Sequence, residues 1–289
     1  MKVLITGANG QLAWEFQRYF ENTGTYEVTA LNKKELDISD FGSVSEALSF
    51  HNPAVVINCA AYNLVDRAEE DRDAAFCVNA VGVKNLAALC RKSRAFLIHY
   101  STDYVFDGTK EDYYTEADIT YPLNVYGESK LSGERLLAEE SDDFLLFRVS
   151  WVFGHGTSNF LYKLSEWAKN IDVLKIVCNQ VSVPTYTSDI VKYTMAACDK
   201  GLRGIYHLTN GGYASRYEVA RHYIERLGLK RTVLPTDSNF FNERARRPYF
   251  SAMSNAKLSK DLGLEIPEWT DAVDRFIERQ RGKSESVSR

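Results

Sequence analysis

Short, continuously apolar runs alternate along this chain with longer stretches whose apolar residues recur at helical spacing. Residues 2–6, 26–31, 54–60, 95–100 and 143–151 read as strands. The run AVVINCA at 54–60 has no polar alternation, as a sheet covered on both faces demands. Between the strands, helical patterns run through Phe20, over 41–51 with Ser39 or Asp40 as cap, over 72–92, and over 122–140. The last of these places Pro122 in its first turn, with Val125, Leu131, Leu136 and Leu137 as its apolar residues. Beyond 151 the pattern loosens. It predicts a helix at 159–170, a strand at 173–177, a polar loop at 179–185, and a helix at 187–200 capped by Thr187 or Ser188. A strand at 204–208, a helix at 214–227 capped near Ser215 and a last helix at 269–281 follow. The polar tail 282–289 reads as frayed. Strand–helix alternation throughout predicts an α/β protein with a mostly parallel sheet and right-handed crossovers.

The chain's 289 residues suffice for one large α/β unit or one with a smaller lobe. A hydrophobic fraction of 45% and a charged fraction of 26% are ordinary for a globular protein. A net charge of -4 and a pI near 5.8 offer no overall attraction to nucleic acid or to an anionic membrane, so neither is expected as a partner. No apolar run approaches the ~20 residues of a membrane span. A strand pattern begins directly at the N-terminus, so a cytoplasmic protein without a signal peptide is expected. The five cysteines (Cys59, Cys77, Cys90, Cys178, Cys198) show no CxxC spacing and sit in apolar runs, which predicts reduced, buried, inert thiols. The histidines show no paired spacing, so no metal site is expected.

Candidate chemistry lies at the strand ends. The first strand runs into Gly7-x-x-Gly10-x-x-Ala13 and a helix, the context of a dinucleotide site. Gly7 permits the tight turn and Gly10 lets the backbone approach a pyrophosphate at the helix N-terminus. A small residue at Ala13 lets helix and strand pack closely. The same residues also fit a tight βα turn that holds no ligand. After the second strand the chain reads Asn32-Lys33-Lys34. No carboxylate is there to repel a ribose 2′-phosphate and two cations could bind one, which favours NADPH while leaving NADH possible. Ala60, Ala61 and Tyr62 put small residues at the end of the third strand, either for cofactor approach or for ordinary close packing. Asn79 either braces a neighbouring loop or lies on a helix surface. Ser101 and Thr102 put hydroxyls at the end of the fourth strand, placed to bond a substrate carbonyl. Tyr126 and Lys130 are one turn apart on one helix face. An ammonium beside a phenol stabilises the phenolate and pulls its pKa from about 10 toward neutrality, making a usable general acid. Two unrelated surface residues would show the same spacing.

Together with ARRP at 245–248, STDYVFDG at 101–108 and NVYGESK at 124–130, these segments resemble the dTDP-4-dehydrorhamnose reductases, extended short-chain dehydrogenases/reductases, from residue 1 to about 280. GxxGxxA and YxxxK occur across many reductases, whereas STDYVFDG followed by PLNVYGxxK is specific to this family and its nearest relatives. The resemblance implies an α/β, Rossmann-type doubly wound parallel sheet with a smaller C-terminal substrate-binding lobe. The nucleotide-binding part would be 1–150, its sheet completed by 171–210, and the lobe 151–170 with 211–289. It implies NAD(P)H-dependent reduction of the C4 ketone of dTDP-4-dehydro-L-rhamnose, with Thr102, Tyr126 and Lys130 catalytic. Tyr126 would donate the proton, Lys130 would lower its pKa and hold the nicotinamide ribose, and Thr102 would bond the carbonyl oxygen. Gly7, Gly10, Gln11, Leu12, Lys33, Asp37, Ile38, Ala60, Ala61, Tyr62 and Asn63 fall at cofactor positions. Asp103 and Trp151 fall at sugar positions, and Asn159, Gln180 and Arg247 at positions contacting the nucleotide part. Guanidinium suits a diphosphate because it binds it bidentately, though a surface ion pair would equally explain Arg247.

Two positions depart from the family. Ala13 stands for the usual third glycine and Asn63 for Thr, and they leave other dTDP-4-keto-6-deoxy sugars open as substrates. A non-catalytic NADP-binding subunit like that of methionine adenosyltransferase is the rival of another class. Epimerases and dehydratases share the Tyr–Lys pair, but a dehydratase needs an acid/base pair after the hydroxyl, and Asp103 is followed by Tyr104. No acidic set of a metal-bridged dimer is matched, so monomer and homodimer both stand.

Overall fold

The computed structural model describes residues 1–287. Six strands form one sheet in the order Gly204–His207, Phe144–Val149, Phe96–Thr102, Val55–Asn58, Lys2–Thr6, Glu27–Leu31. Every pairing in it is parallel. Because successive strand side chains point to opposite faces, each strand serves two cores. Val3, Ile5, Ile57, Ile98, Leu145 and Phe147 pack one face against the helices Gln11–Thr23 and Thr187–Asp199. Leu4, Val56, Leu97 and Leu146 pack the other against Phe41–His51, Gly82–Ser93 and Val125–Glu140. The continuous apolar runs of the inner strands follow directly. The first strand is flanked by the second and third, so the strand order reverses between Lys2–Thr6 and Val55–Asn58. Ligands of open parallel sheets bind in the crevice beyond the carboxyl ends of the strands at such a point.

A separate apolar cluster (Phe153, Leu161, Leu164, Ile176, Tyr186, Val219, Tyr223, Phe276) is built mainly from the helices Phe160–Asn170, Arg216–Leu227 and Trp269–Val287. It packs beside the parallel pair Val173–Val177 and Thr232–Thr236. The second of those strands, and the short helices Val65–Ala68 and Ala256–Leu262, have no clear signal in the sequence pattern. The expected polar loop 179–185 is cut by two short ladders, Val181–Ser182 against Ala214–Ser215 and Val152–Phe153 against Thr185–Tyr186.

Several boundaries move for identifiable reasons. The helix expected at 122–140 is Val125–Glu140. Asn124, extended at φ −145°, caps it by accepting from Gly127 N at 2.8 Å, and Pro122 lies outside. The helix Thr187–Asp199 has Tyr186 at its N-cap position and no side-chain cap, so neither Thr187 nor Ser188 plays that part. Ser215 does cap Arg216–Leu227, in a reciprocal box with Glu218. The last helix runs through Val287 instead of fraying from 282; Ser288 and Arg289, the end of the expected tail and lobe, lie outside the described residues.

The helical stretch Arg72–Ser93, at 22 residues, is long and apolar enough to cross a membrane, against the expectation that no such run exists. Its Val83, Leu86, Ala87, Leu89 and Cys90 are buried on the sheet. The expectation of uniformly buried thiols also fails: all five cysteines are free, but Cys77 and Cys178 are exposed. Cys90 is buried, and desolvation pushes its thiol up to about 12.

A π-turn at Cys77–Val81 interrupts that stretch. Here the helix Val125–Glu140 comes so close that a Cβ on Gly133 would sit 2.1 Å from the Asn79 carbonyl oxygen. Backbone cannot yield as a flexible side chain can, so Gly133→Ala forces the helices apart. Overpacking of this kind costs about 1–3 kcal/mol. The expected outcome is a thermal midpoint lowered by several degrees in a calorimetric scan of the purified variant, with an unchanged midpoint ruling out the contact as a constraint.

Candidate active site

At the carboxyl end of the sheet, the chain turns at Gly7, whose φ is +65°. A Cβ there would lie 2.8 Å from Ala60 Cα, so both the backbone conformation and the approach of the two strand ends need glycine. Gly10 occupies the N-cap of Gln11–Thr23 and no side chain caps this helix, which leaves its first N–H groups facing the crevice. Ala13 is fully buried where helix and sheet meet. Among the described residues, Gln11 Oε1 and Tyr62 Oη are buried polar atoms with no hydrogen-bond partner. Both belong to residues that the resemblance places at the cofactor, and Gln11 opens the uncapped helix; orphaned buried polar atoms are what a bound dinucleotide would satisfy. The residues present therefore fit such a group.

Residues 60–63 are held from behind. Asn79, 1% exposed, accepts from Tyr62 N at 2.9 Å, donates to Tyr62 O at 3.0 Å and donates to Ser129 Oγ at 3.0 Å. The open question over Asn79 is thus resolved as a brace between this loop and the Tyr126 helix. Ile38 is buried and its carbonyl accepts from Asn85. At the end of the second strand, Lys33 is 77% exposed and lies 3.9 Å from Asp37. Partial burial works to raise the Asp37 carboxyl, but the Ser39 hydrogen bonds and the Lys33 charge outweigh it and hold it below the usual range.

Thr102 comes from the end of a strand, and Tyr126 and Lys130 from one helix, Val125–Glu140. Thr102 ends its strand and accepts from Tyr104 N at 3.2 Å, which starts a short 3-10 turn. Its hydroxyl donates to Asp103 Oδ1 at 3.2 Å, and the Tyr126 phenol lies near it. The Asp103 carboxylate is 2% exposed and takes further hydrogen bonds from Ser182 Oγ at 2.9 Å and Ser251 Oγ at 2.6 Å. Burial pushes its pKa up to about 6 despite these donors. In this arrangement Asp103 orients Thr102. Ser182 and Ser251, which hold it, carry no signal in the sequence.

Lys130 is 2% exposed and its ammonium donates to the Tyr100 carbonyl at 2.6 Å. Desolvation lowers its pKa to about 8, with Glu134 opposing. The Tyr126 phenol is raised instead of lowered: burial dominates and the Thr102 hydrogen bond only moderates it. The expected depression of Tyr126 by Lys130 is absent from this arrangement, where burial, Thr102, Asp103 and Tyr104 are what act on the phenol.

Beyond Trp151 opens a cavity of about 760 Å³, lined by Trp151, Asn159, Phe160, Arg216, Glu243 and Arg247 among others. Trp151 adopts φ +39°, rare for a bulky residue, and the Arg216 guanidinium lies 4.2 Å from its ring centre. Asn159 caps Phe160–Asn170 by accepting from Tyr162 N at 3.0 Å, and its amide donates to Gly154 O. Gln180 donates to Glu243 Oε2 at 3.0 Å. Arg247 is engaged by Asp66 at 2.7 Å and Glu243 at 3.1 Å. Thr102, Asp103, Tyr126 and Gln180 do not line this cavity. Arg216 and Asp66 carry no signal in the sequence pattern. Among the described residues no group of three or more His, Cys, Asp or Glu could hold a metal ion.

The family model described as the RmlD substrate binding domain matches residues 1–281. A dTDP-4-dehydrorhamnose reductase of Burkholderia thailandensis is 38% identical over 94% of this chain and 97% of that protein. The Bacillus subtilis spore coat polysaccharide biosynthesis protein SpsK is 35% identical over 96% and 98%. The crystal structure of the Bacillus anthracis dTDP-4-dehydrorhamnose reductase in complex with NADP is similar with a TM-score of 0.93 at 33% identity, covering 96% of this chain and 99% of that one.

The Lys130 environment makes a thermodynamic prediction. With its pKa near 8 in the folded protein against 10.5 when unfolded, the unfolded chain binds more protons between these values, so Lys130 contributes a stability increase as pH rises from 8 to 10.5. Chemical denaturation of wild type and Lys130→Met across that window should show this increment in wild type alone. Parallel curves for the two proteins would mean that Lys130 is not held desolvated.

Proposed function

The chain belongs to the RmlD substrate-binding family, and on that premise we propose that it reduces the C4 ketone of dTDP-4-dehydro-L-rhamnose to dTDP-L-rhamnose with NADPH, NADH being a usable substitute. The observation that carries the reading is the convergence of Thr102, Tyr126 and Lys130 at the carboxyl end of the sheet, beside a glycine turn fitted to a dinucleotide.

NADPH, when bound, supplies the hydride. Gly7, Gly10, Gln11 and Leu12 would hold its pyrophosphate side, Lys33, Asp37 and Ile38 its adenosine side, and 60–63 the strand end between. Tyr126 donates its phenolic proton to the oxygen that becomes the C4 hydroxyl. A phenol whose pKa is raised by burial holds that proton at neutral pH, and the incipient alkoxide is a far stronger base that takes it. Thr102 bonds the same oxygen by turning to it the one hydroxyl proton that otherwise goes to Asp103. Lys130, charged below about 8, would hold the nicotinamide ribose. Trp151 would contact the sugar, and Asn159, Gln180 and Arg247 would serve the nucleotide end, with 151–170, the strand Val173–Val177 (expected in the main sheet but paired with Thr232–Thr236) and the described part of 211–289 forming the substrate lobe. We place the reaction in the cytoplasm, where free thiols such as these five stay reduced.

Loss of NADPH absorbance with dTDP-4-dehydro-L-rhamnose, run beside NADH, tests the substrate. Failure to oxidise either cofactor while still binding it would reject this keto sugar. Tyr126→Phe should lose about 10²–10⁴-fold in kcat, the usual share of a positioned proton donor, with NADPH binding unchanged. Turnover near wild type would remove Tyr126 from that role.

A further inference from the structure

The carboxylate of Asp66 is the meeting point of four donors. Arg247 Nη2 lies 2.7 Å from Oδ2, and Arg247 Nη1 lies 3.1 Å from Oδ1. The backbone N–H groups of two consecutive residues, Arg244 and Ala245, donate to Oδ1 at 3.1 and 3.0 Å. A guanidinium fork combined with successive backbone N–H groups is an anion receptor. Here it is filled from within the chain.

The partners differ in freedom. The Arg247 side chain is 12% exposed, while that of Asp66 is 45% exposed. Asp66 can therefore swing into water where Arg247 cannot. Glu243 stays on Arg247 Nη1 at 3.1 Å and would keep the guanidinium aimed in the absence of Asp66. Arg247 and Glu243 both line the cavity beyond Trp151. Asp66 is ionised at neutral pH: partial burial works to raise its pKa, but the Arg247 hydrogen bond and charge and the two backbone donors bring it below the ordinary range.

We propose that Asp66 is an internal competitor for the substrate's diphosphate. Its carboxylate occupies the receptor formed by Arg247 and the N–H groups of Arg244 and Ala245, and a nucleoside diphosphate binds there by displacing it. This rests on the reading above, in which the cavity takes the nucleotide part of the substrate. The competitor also has a mechanical setting. Asp66 belongs to the short helix Val65–Ala68, just after the residues held by Asn79. Glu69, next to that helix, accepts from Val125 N at 2.9 Å in the first turn of the Tyr126 helix.

The test is calorimetric titration of thymidine diphosphate into the NADP-saturated protein, for wild type, Asp66→Asn and Asp66→Ser. Asn removes the charge and retains an acceptor for the two N–H groups; Ser retains an acceptor and serves should the Asn variant fail to bind NADP. A competitor's removal should tighten thymidine diphosphate about fivefold, the equivalent of roughly 1 kcal/mol for a partly exposed pair. Unchanged or weaker binding in a variant that still binds NADP would overturn the proposal and make Asp66 a fixed support of Arg247. A wild type that takes no thymidine diphosphate at all would sink the nucleotide-sugar reading itself, and the competitor with it.

Discussion

The close seating of one helix on its neighbours governs the site. Val125–Glu140 meets the Tyr104 carbonyl at Gly127 and the Asn79 carbonyl at Gly133, at separations no side chain would allow. That height above the sheet puts Lys130 on the Tyr100 carbonyl, Tyr126 beside Thr102, and Glu134 against Arg148 at 2.7 Å. A helix displaced by the width of a methyl group would leave each of these polar groups in an apolar interior without its partner, which is far costlier than the lost contact.

The polar interior under this helix is expensive, and its arrangement shows how the cost is contained. Arg148 and Glu134 are nearly inaccessible and satisfy one another through a bidentate contact that also reaches His207. Among the described residues Lys130 donates to a carbonyl, that of Tyr100, and desolvation moves its pKa accordingly. Asp103 gathers hydroxyls that supply hydrogen bonds without supplying charge, so burial still wins and its carboxyl is raised to about 6. Breaking one partner of a buried charged pair typically costs about 3–5 kcal/mol, so these groups hold one another in place as strictly as the apolar core does.

The two ends of the site are joined by the segment from residue 60 to 71. Asn79 clamps its start by Tyr62, Asp66 holds Arg247 and the backbone before it, and Glu69 receives the first-turn N–H of the Tyr126 helix. Asn124, capping the same helix, donates to the Arg246 carbonyl at 2.8 Å. Cofactor crevice, proton donor and the ARRP arm therefore share hydrogen bonds, so a change at one is felt mechanically at the others.

Much of this was legible in the residues. Continuous apolar strands and amphipathic helices between them define a covered parallel sheet, because burial on both faces leaves no other pattern. Gly7, the hydroxyl of Thr102 and the Tyr126–Lys130 spacing mark the site because strand ends, turns and helix turns are local geometry. What only the folded chain decided is which polar groups meet across long separations and how deeply. Asp103 finds Ser182 and Ser251, Asp66 finds Arg247, and burial outweighs the Thr102 hydrogen bond at the Tyr126 phenol. Cys77 and Cys178 sit in apolar runs yet reach the surface. Hydrophobic periodicity records local conformation and the buried face, whereas desolvation and ion pairing depend on the surroundings that distant segments supply.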